Sequence, residues 1–172
     1  MRERGANKLE TAKMLLDAGA SLDLKTFTGS TLLMNAVLNE DSDPDVVRLL
    51  LEKFKSSRSA EEFSTFLNYK KIPTSMKWKC IYFTARMMYR TGMSKSLMMD
   101  LLAFDSGSAA LIVAVTRGDI EIVKILLENG ADPYVENDLG MNAFDICDKA
   151  GPFPSVKRAL QKHVNETHNK KK

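Results

Sequence analysis

The side chains best suited to nucleophilic or metal chemistry are two histidines, His163 and His168, and two cysteines, Cys80 and Cys147. A metal-binding pair on one helix face needs i, i+4 spacing, and these histidines stand at i, i+5. No histidine is placed to activate either thiol. Cys147 falls where a small core residue is wanted. Cys80, beside Lys79 in an aromatic-rich stretch, also reads as buried. Gly29-Ser30 and Gly107-Ser108 lack the downstream Gly-Lys-Ser/Thr of a phosphate loop. The acidic stretch Asn39–Asp45 lacks the glycine and terminal glutamate of a calcium loop. It reads as an inter-helix loop, with Asp43 or Asp45 favouring the start of the next helix. The expectation is a chain with no catalytic residues, no metal site and no cofactor.

Charge is distributed unevenly. The whole chain is nearly balanced, with 25 basic and 22 acidic residues, so nucleic acid is not a required partner. Residues 55–96, however, hold nine Lys/Arg against Glu61 and Glu62, a formal charge of +7, and the remainder holds −4. Within that block Met76–Tyr89 interleaves cations with aromatics and methionines. The pattern reads first as a repeat helix with an apolar inner face and a solvated basic outer face. An acidic protein segment is the partner it suits best; nucleic acid or anionic lipid bound by residues 70–95 is the lesser alternative. Two unpaired-looking cysteines, no apolar leader and no run of 18 apolar residues point to a cytoplasmic or nuclear setting.

Positioning elements emerge from internal repetition. Met14–Asp23 (Met-Leu-Leu-Asp-Ala-Gly-Ala-Ser-Leu-Asp) and Ile125–Tyr134 (Ile-Leu-Leu-Glu-Asn-Gly-Ala-Asp-Pro-Tyr) match closely. Val46–Leu51 and Ile122–Leu127 repeat one apolar helix. Segments opening at Gly29, Gly107 and Gly140 repeat another, and the last two glycines lie 33 residues apart. Gly118 and Gly130 permit the left-handed turns that end consecutive helices. The stripe Ile122, Val123, Leu126 and Leu127 cannot be buried by one unit alone, so units must stack.

This ordered set resembles the ankyrin repeat family, most fully over 105–137, where Gly107, Leu111, Ala114, Gly118-Asp119, Ile122-Val123, Leu126-Leu127 and Gly130-Ala131-Asp132 carry the pattern. The resemblance implies an all-α solenoid of helix–turn–helix units with short β-turn fingers. The expected layout is a partial unit at 1–25, a unit at 26–60, a divergent extended unit at 61–104, a unit at 105–137 and a capping unit at 138–164, followed by a disordered basic tail at 165–172. Met1–Asn7 would close a first helix and Lys8–Asp17 would form a second. Ala60–Tyr69, Met76–Tyr89 and Ser96–Leu102 are predicted helices of the divergent region. Ser155 is the expected cap of the last helix.

By the same resemblance the chain is expected to bind another protein through turn tips and exposed inner-helix positions on a concave face. Those positions are Phe27, Thr28, Ser30, Leu38 and Asn39; then Asp105, Ser106, Ser108, Thr116 and Arg117; then Asp138, Leu139, Met141, Lys149 and Ala150. Phe27 and Leu139 stand out as apolar tips where no core is at hand, and Tyr134 is a third aromatic handle. The rival reading is a regulatory segment of a larger enzyme or membrane protein, cut at its N-terminus in mid-repeat.

Overall fold

In the computed structural model, residues 2–39, 43–151 and 153–169 are described, with the side chains of 2–7 left aside. The described residues form ten helices and one isolated antiparallel bridge, Lys25 to Thr31. The helices are α1 (Arg2–Asp17), α2 (Leu32–Leu38), α3 (Pro44–Ser57), α4 (Ala60–Leu67), α5 (Met76–Arg90), α6 (Leu97–Asp105), α7 (Ala110–Arg117), α8 (Ile120–Glu128), α9 (Ala143–Ala150) and α10 (Pro154–Asn169).

Local sequence sets these boundaries. Thr31 accepts from the Met34 amide at the start of α2, and Asp43 from the Asp45 amide at the start of α3, with Pro44 in the first turn where its missing N–H costs nothing. Ser59 with Glu62, and Asn142 with Asp145, close capping boxes on α4 and α9. Asp119 caps α8 by accepting from the Ile122 amide.

The stack runs α1, then α2/α3, then α7/α8, then α9/α10. Helix α2 lies against α7 and α7 against α9; α1 lies against α3, α3 against α8, and α8 against α10. The core between these layers comes from the periodic apolar stripes. Val37, Val47, Ala114, Ile122, Val123, Leu126, Ile146, Val156 and Leu160 are all fully buried. Helix α4 folds back on the end of α3 by stacking Phe66 on Phe54, with ring centroids 3.7 Å apart.

Three expectations are corrected. Residues 61–104 are not a stacked unit: α2/α3 pack directly on α7/α8, and α5 and α6 pair chiefly with each other. The first helix is continuous from Arg2 to Asp17, without a break at Asn7. The last helix continues through 165–169 and begins at Pro154, placing Ser155 inside it. The end is held by Lys162–Glu166 at i, i+4 and by the Thr167 hydroxyl donating to the carbonyls of His163 and Val164. Met1, the loop residues 40–42 of the acidic stretch, and tail residues 170–172 lie outside the described residues.

Candidate functional site: an enlarged finger

Each unit's finger is closed by one backbone bond. The Thr26 amide donates to the Ser30 carbonyl at 3.0 Å, and the Asn137 amide to that of Met141 at 2.9 Å. The partners stand four positions apart in both, with a three-residue tip between them. The corresponding bond of the unit between them joins the Lys71 amide to the Ser108 carbonyl at 3.0 Å. There the partners are 37 residues apart, and the whole α5/α6 hairpin occupies the tip. The divergent segment is therefore a finger enlarged into a helical hairpin.

The three fingers lie side by side. The Thr74 amide donates to the Phe27 carbonyl at 3.2 Å, and the Asp138 amide to the Ser106 carbonyl at 3.0 Å. Two glycines allow this approach. Gly29 (φ 82°) lies against the Ile72 backbone and Gly107 (φ 69°) against Asp138, and a Cβ at either would collide with its neighbour.

Two ionic clusters fasten the hairpin to this row. Lys71, 3% exposed, pairs with the Asp105 carboxylate, which also accepts from the Tyr82 hydroxyl at 2.8 Å. Burial raises the Tyr82 phenol well above its ordinary range, and the Asp105 charge raises it further. In the second cluster Arg86 pairs with Asp138, and the Ser106 hydroxyl donates to the same carboxylate at 2.7 Å. Arg90 reaches the Asp138 carbonyl at 3.3 Å. Apolar contact completes the seat: Tyr89 meets Phe104 edge to face at 5.0 Å, and Leu101 packs against the main core.

The sequence-predicted binding residues divide sharply. Ser30, Ser106 and Ser108 are buried, and the Ser108 hydroxyl donates to the Phe104 carbonyl at 2.6 Å. Asp105 and Asp138 hold the two clusters. Arg117 donates to the Leu38 carbonyl at 2.6 Å, tying α7 to the end of α2, and the Thr116 hydroxyl turns back to Ile112. Thr28 is half-buried and bonds with Thr26 and Ser30. Leu139, Met141 and Ala150 are half-buried against the core. Leu139 is thus not an exposed tip; its finger folds around the Asn137 amide, which donates to the Phe104 carbonyl while its oxygen accepts from Leu139 and Met141. Phe27 (76% exposed), Leu38 (48%), Asn39, Lys149 and Tyr134 do reach solvent.

Missed by that reading is the concentration of exposed apolar side chains on the enlarged finger. Ile72, Met76, Phe83, Met93, Leu97 and Met98 are each 59–71% exposed. A signal for this existed: only four residues separate Leu102 from Gly107, so α6 lacks the outgoing turn that follows the second helix of a stacked unit. Cys80 is exposed rather than buried, because it points away from the Tyr82 and Ala85 face of α5. Cys147 is buried, and burial, with Asp148 nearby, pushes its thiol pKa up. Among the described residues no cluster of metal-ligating side chains occurs, and no helix is long and apolar enough to cross a membrane.

Stacked helix pairs bearing a row of fingers define a helical-repeat solenoid. Residues 106–138 match the family model described as Ankyrin repeat, so that stretch of the stack is similar to an ankyrin repeat. It is similar to a putative ankyrin repeat-containing protein of Treponema pallidum (strain Nichols), 26% identical over 137 residues, which are 78% of this chain and 42% of that protein. It is also similar to a mitochondrial disaggregase of Bos taurus, 26% identical over 171 residues, 99% of this chain and 24% of that protein. The chain thus spans less than half the length of either relative. Ankyrin repeats are generally protein-interaction modules.

Proposed function

We propose that this chain is a non-catalytic protein-interaction module whose main contact surface is the enlarged finger with the neighbouring Phe27 tip. One observation carries the reading: large apolar side chains stand in water along the finger row, whereas the apolar stripes of α3, α7, α8 and α10 are buried between layers. Exposed apolar surface of this kind is characteristic of a partner-binding face. Leu38, Asn39 and Lys149, at exposed inner-helix positions, extend the same reading onto the concave face. Cys147 is unsuited to act as a nucleophile, because burial holds its thiol away from the thiolate form. The two free cysteines suit a reducing cytoplasmic or nuclear setting. Partner choice follows charge, since residues 70–96 contain no Asp or Glu.

The test trims the finger. Replacing residues 72–107 by the three-residue tip Phe27-Thr28-Gly29 restores an ordinary finger between the bonded positions 71 and 108. The trimmed chain is expected to lose only the α5 and α6 share of its far-UV circular dichroism and to lose cross-linking to protein partners captured by the intact chain. Capture of the same partners by the trimmed chain refutes the reading. A second reading, a regulatory segment of a longer protein, is favoured by the limited share of each relative that the chain covers. It predicts that the finger docks on a neighbouring domain of the same polypeptide.

A further inference from the structure

Helix α5 has two apolar stripes. One, through Tyr82 and Ala85, is buried in the hairpin's seat. The other, Met76, Cys80, Phe83 and Met87, runs at spacings of four, three and four residues and is exposed along its length. At about 100° per residue these four lie within an arc of about 60°. That is the width of a coiled-coil seam, narrower than the apolar face of at least about 100° by which a surface helix covers a core. Cations border it on both sides, Lys77 on one and Lys79 and Arg90 on the other. Lys77 and Lys79 are exposed and, among the described residues, have no ion-pair partner.

From this the geometry points to a docking site for an acidic amphipathic helix of a partner protein, laid along the outer stripe of α5. The inference rests on the interaction reading above and names its partner's chemistry. The partner's leucine-like side chains would fill the spaces around Phe83 and Met87, and its flanking carboxylates would meet Lys77 and Lys79. Pairing of opposite flanks sets partner choice and orientation, and like flanks repel. A lipid surface fits less well. So narrow a stripe cannot enter the acyl boundary without drawing its bordering cations down with it.

The test uses the full chain and a synthetic three-heptad helix with Leu at a and d and Glu at e and g, fluorescently labelled. A twin carries Lys in place of Glu, and vesicles of phosphatidylserine and phosphatidylcholine form a third arm. The acidic helix is expected to bind and to be weakened by salt. Phe83→Asp with Met87→Asp should weaken it at least about tenfold without changing the melt, since both positions are exposed. Lys77→Glu with Lys79→Glu should transfer the preference to the basic twin. Equal binding of the twins, no binding of the acidic helix, binding indifferent to the seam variants, or binding to vesicles alone overturns the inference. If the probe fails while finger trimming still abolishes partner cross-linking, the interaction reading stands and the acidic-helix partner does not.

Discussion

Removing Asp105 should harm the protein far more than removing Lys71, although the two form one ion pair. The Lys71 side chain is 2% exposed and the Asp105 side chain 24%. Asp105→Ala strands an ammonium group in a site with one neutral neighbour, the Tyr82 hydroxyl at 3.3 Å. Breaking a buried pair in this way costs about 3–5 kcal/mol. Water entering on the open Asp105 side reduces the expected loss to about 2–4 kcal/mol. Lys71→Met removes the charge and keeps a flexible chain of similar length. Asp105 then retains the Tyr82 hydroxyl as donor and its own access to solvent, so the expected loss is below about 1.5 kcal/mol. The assay is urea unfolding read in two ways. Trp78, whose ring lies 5.9 Å from that of Tyr82, reports on the hairpin, and far-UV circular dichroism reports on the whole stack. For Asp105→Ala the Trp78 transition should fall to lower urea and precede the dichroism transition, because the cluster fastens the finger rather than the stack. A Lys71→Met loss equal to or larger than that of Asp105→Ala would refute the argument from stranded charge.

Four further outcomes are expected. Leu126→Ala, fully buried between layers, should cost about 2–5 kcal/mol in a thermal or urea melt, whereas Phe27→Ala should stay within about 0.5 kcal/mol; equal losses would place Phe27 in the core. Because the Tyr82 phenol titrates higher in the folded state, its contribution is intact below the ordinary value near pH 10 and lost as pH rises further; alkaline melts of Tyr82→Phe should show a shallower decline above about pH 10. Glu62 has a lowered pKa, chiefly through the Ser59 amide and hydroxyl that bond its carboxylate, so the α4 cap should be intact above about pH 4.5 and weaken as pH falls below it; acid titration of the α4 amides by NMR, against Glu62→Gln, reads this out. Hydrogen exchange should be slow in 108–130 and faster in α1, where Met14 and Leu15 are 68% and 57% exposed; equal protection would contradict the layer order.

Much of the scaffold was legible in the residues themselves. The glycine positions and the Val/Ile–Leu-Leu pairs report local geometry and one-sided burial, and both are properties of a short window of chain. Helices α7 and α8, an acidic start to α3 at Asp43 or Asp45, and the helical character of 60–67, 76–90 and 97–105 follow from such windows. Exposure of Phe27 was equally readable, since a finger tip has no layer beyond it. The role of the divergent segment was not. Its helical periodicity is the same whether α5 and α6 form a stacked unit or a finger tip; the difference lies in the bond from Lys71 to Ser108, 37 residues apart. Only the assembled stack shows α2 resting on α7, leaving no layer for the hairpin to fill. Asp105, Asp138 and Arg117 illustrate the same limit. A charge at a turn tip looks like a partner contact until the fold brings Lys71, Arg86 and the Leu38 carbonyl to it. Local sequence fixes which faces must be buried; which charges find each other depends on chain segments that meet only when the layers close.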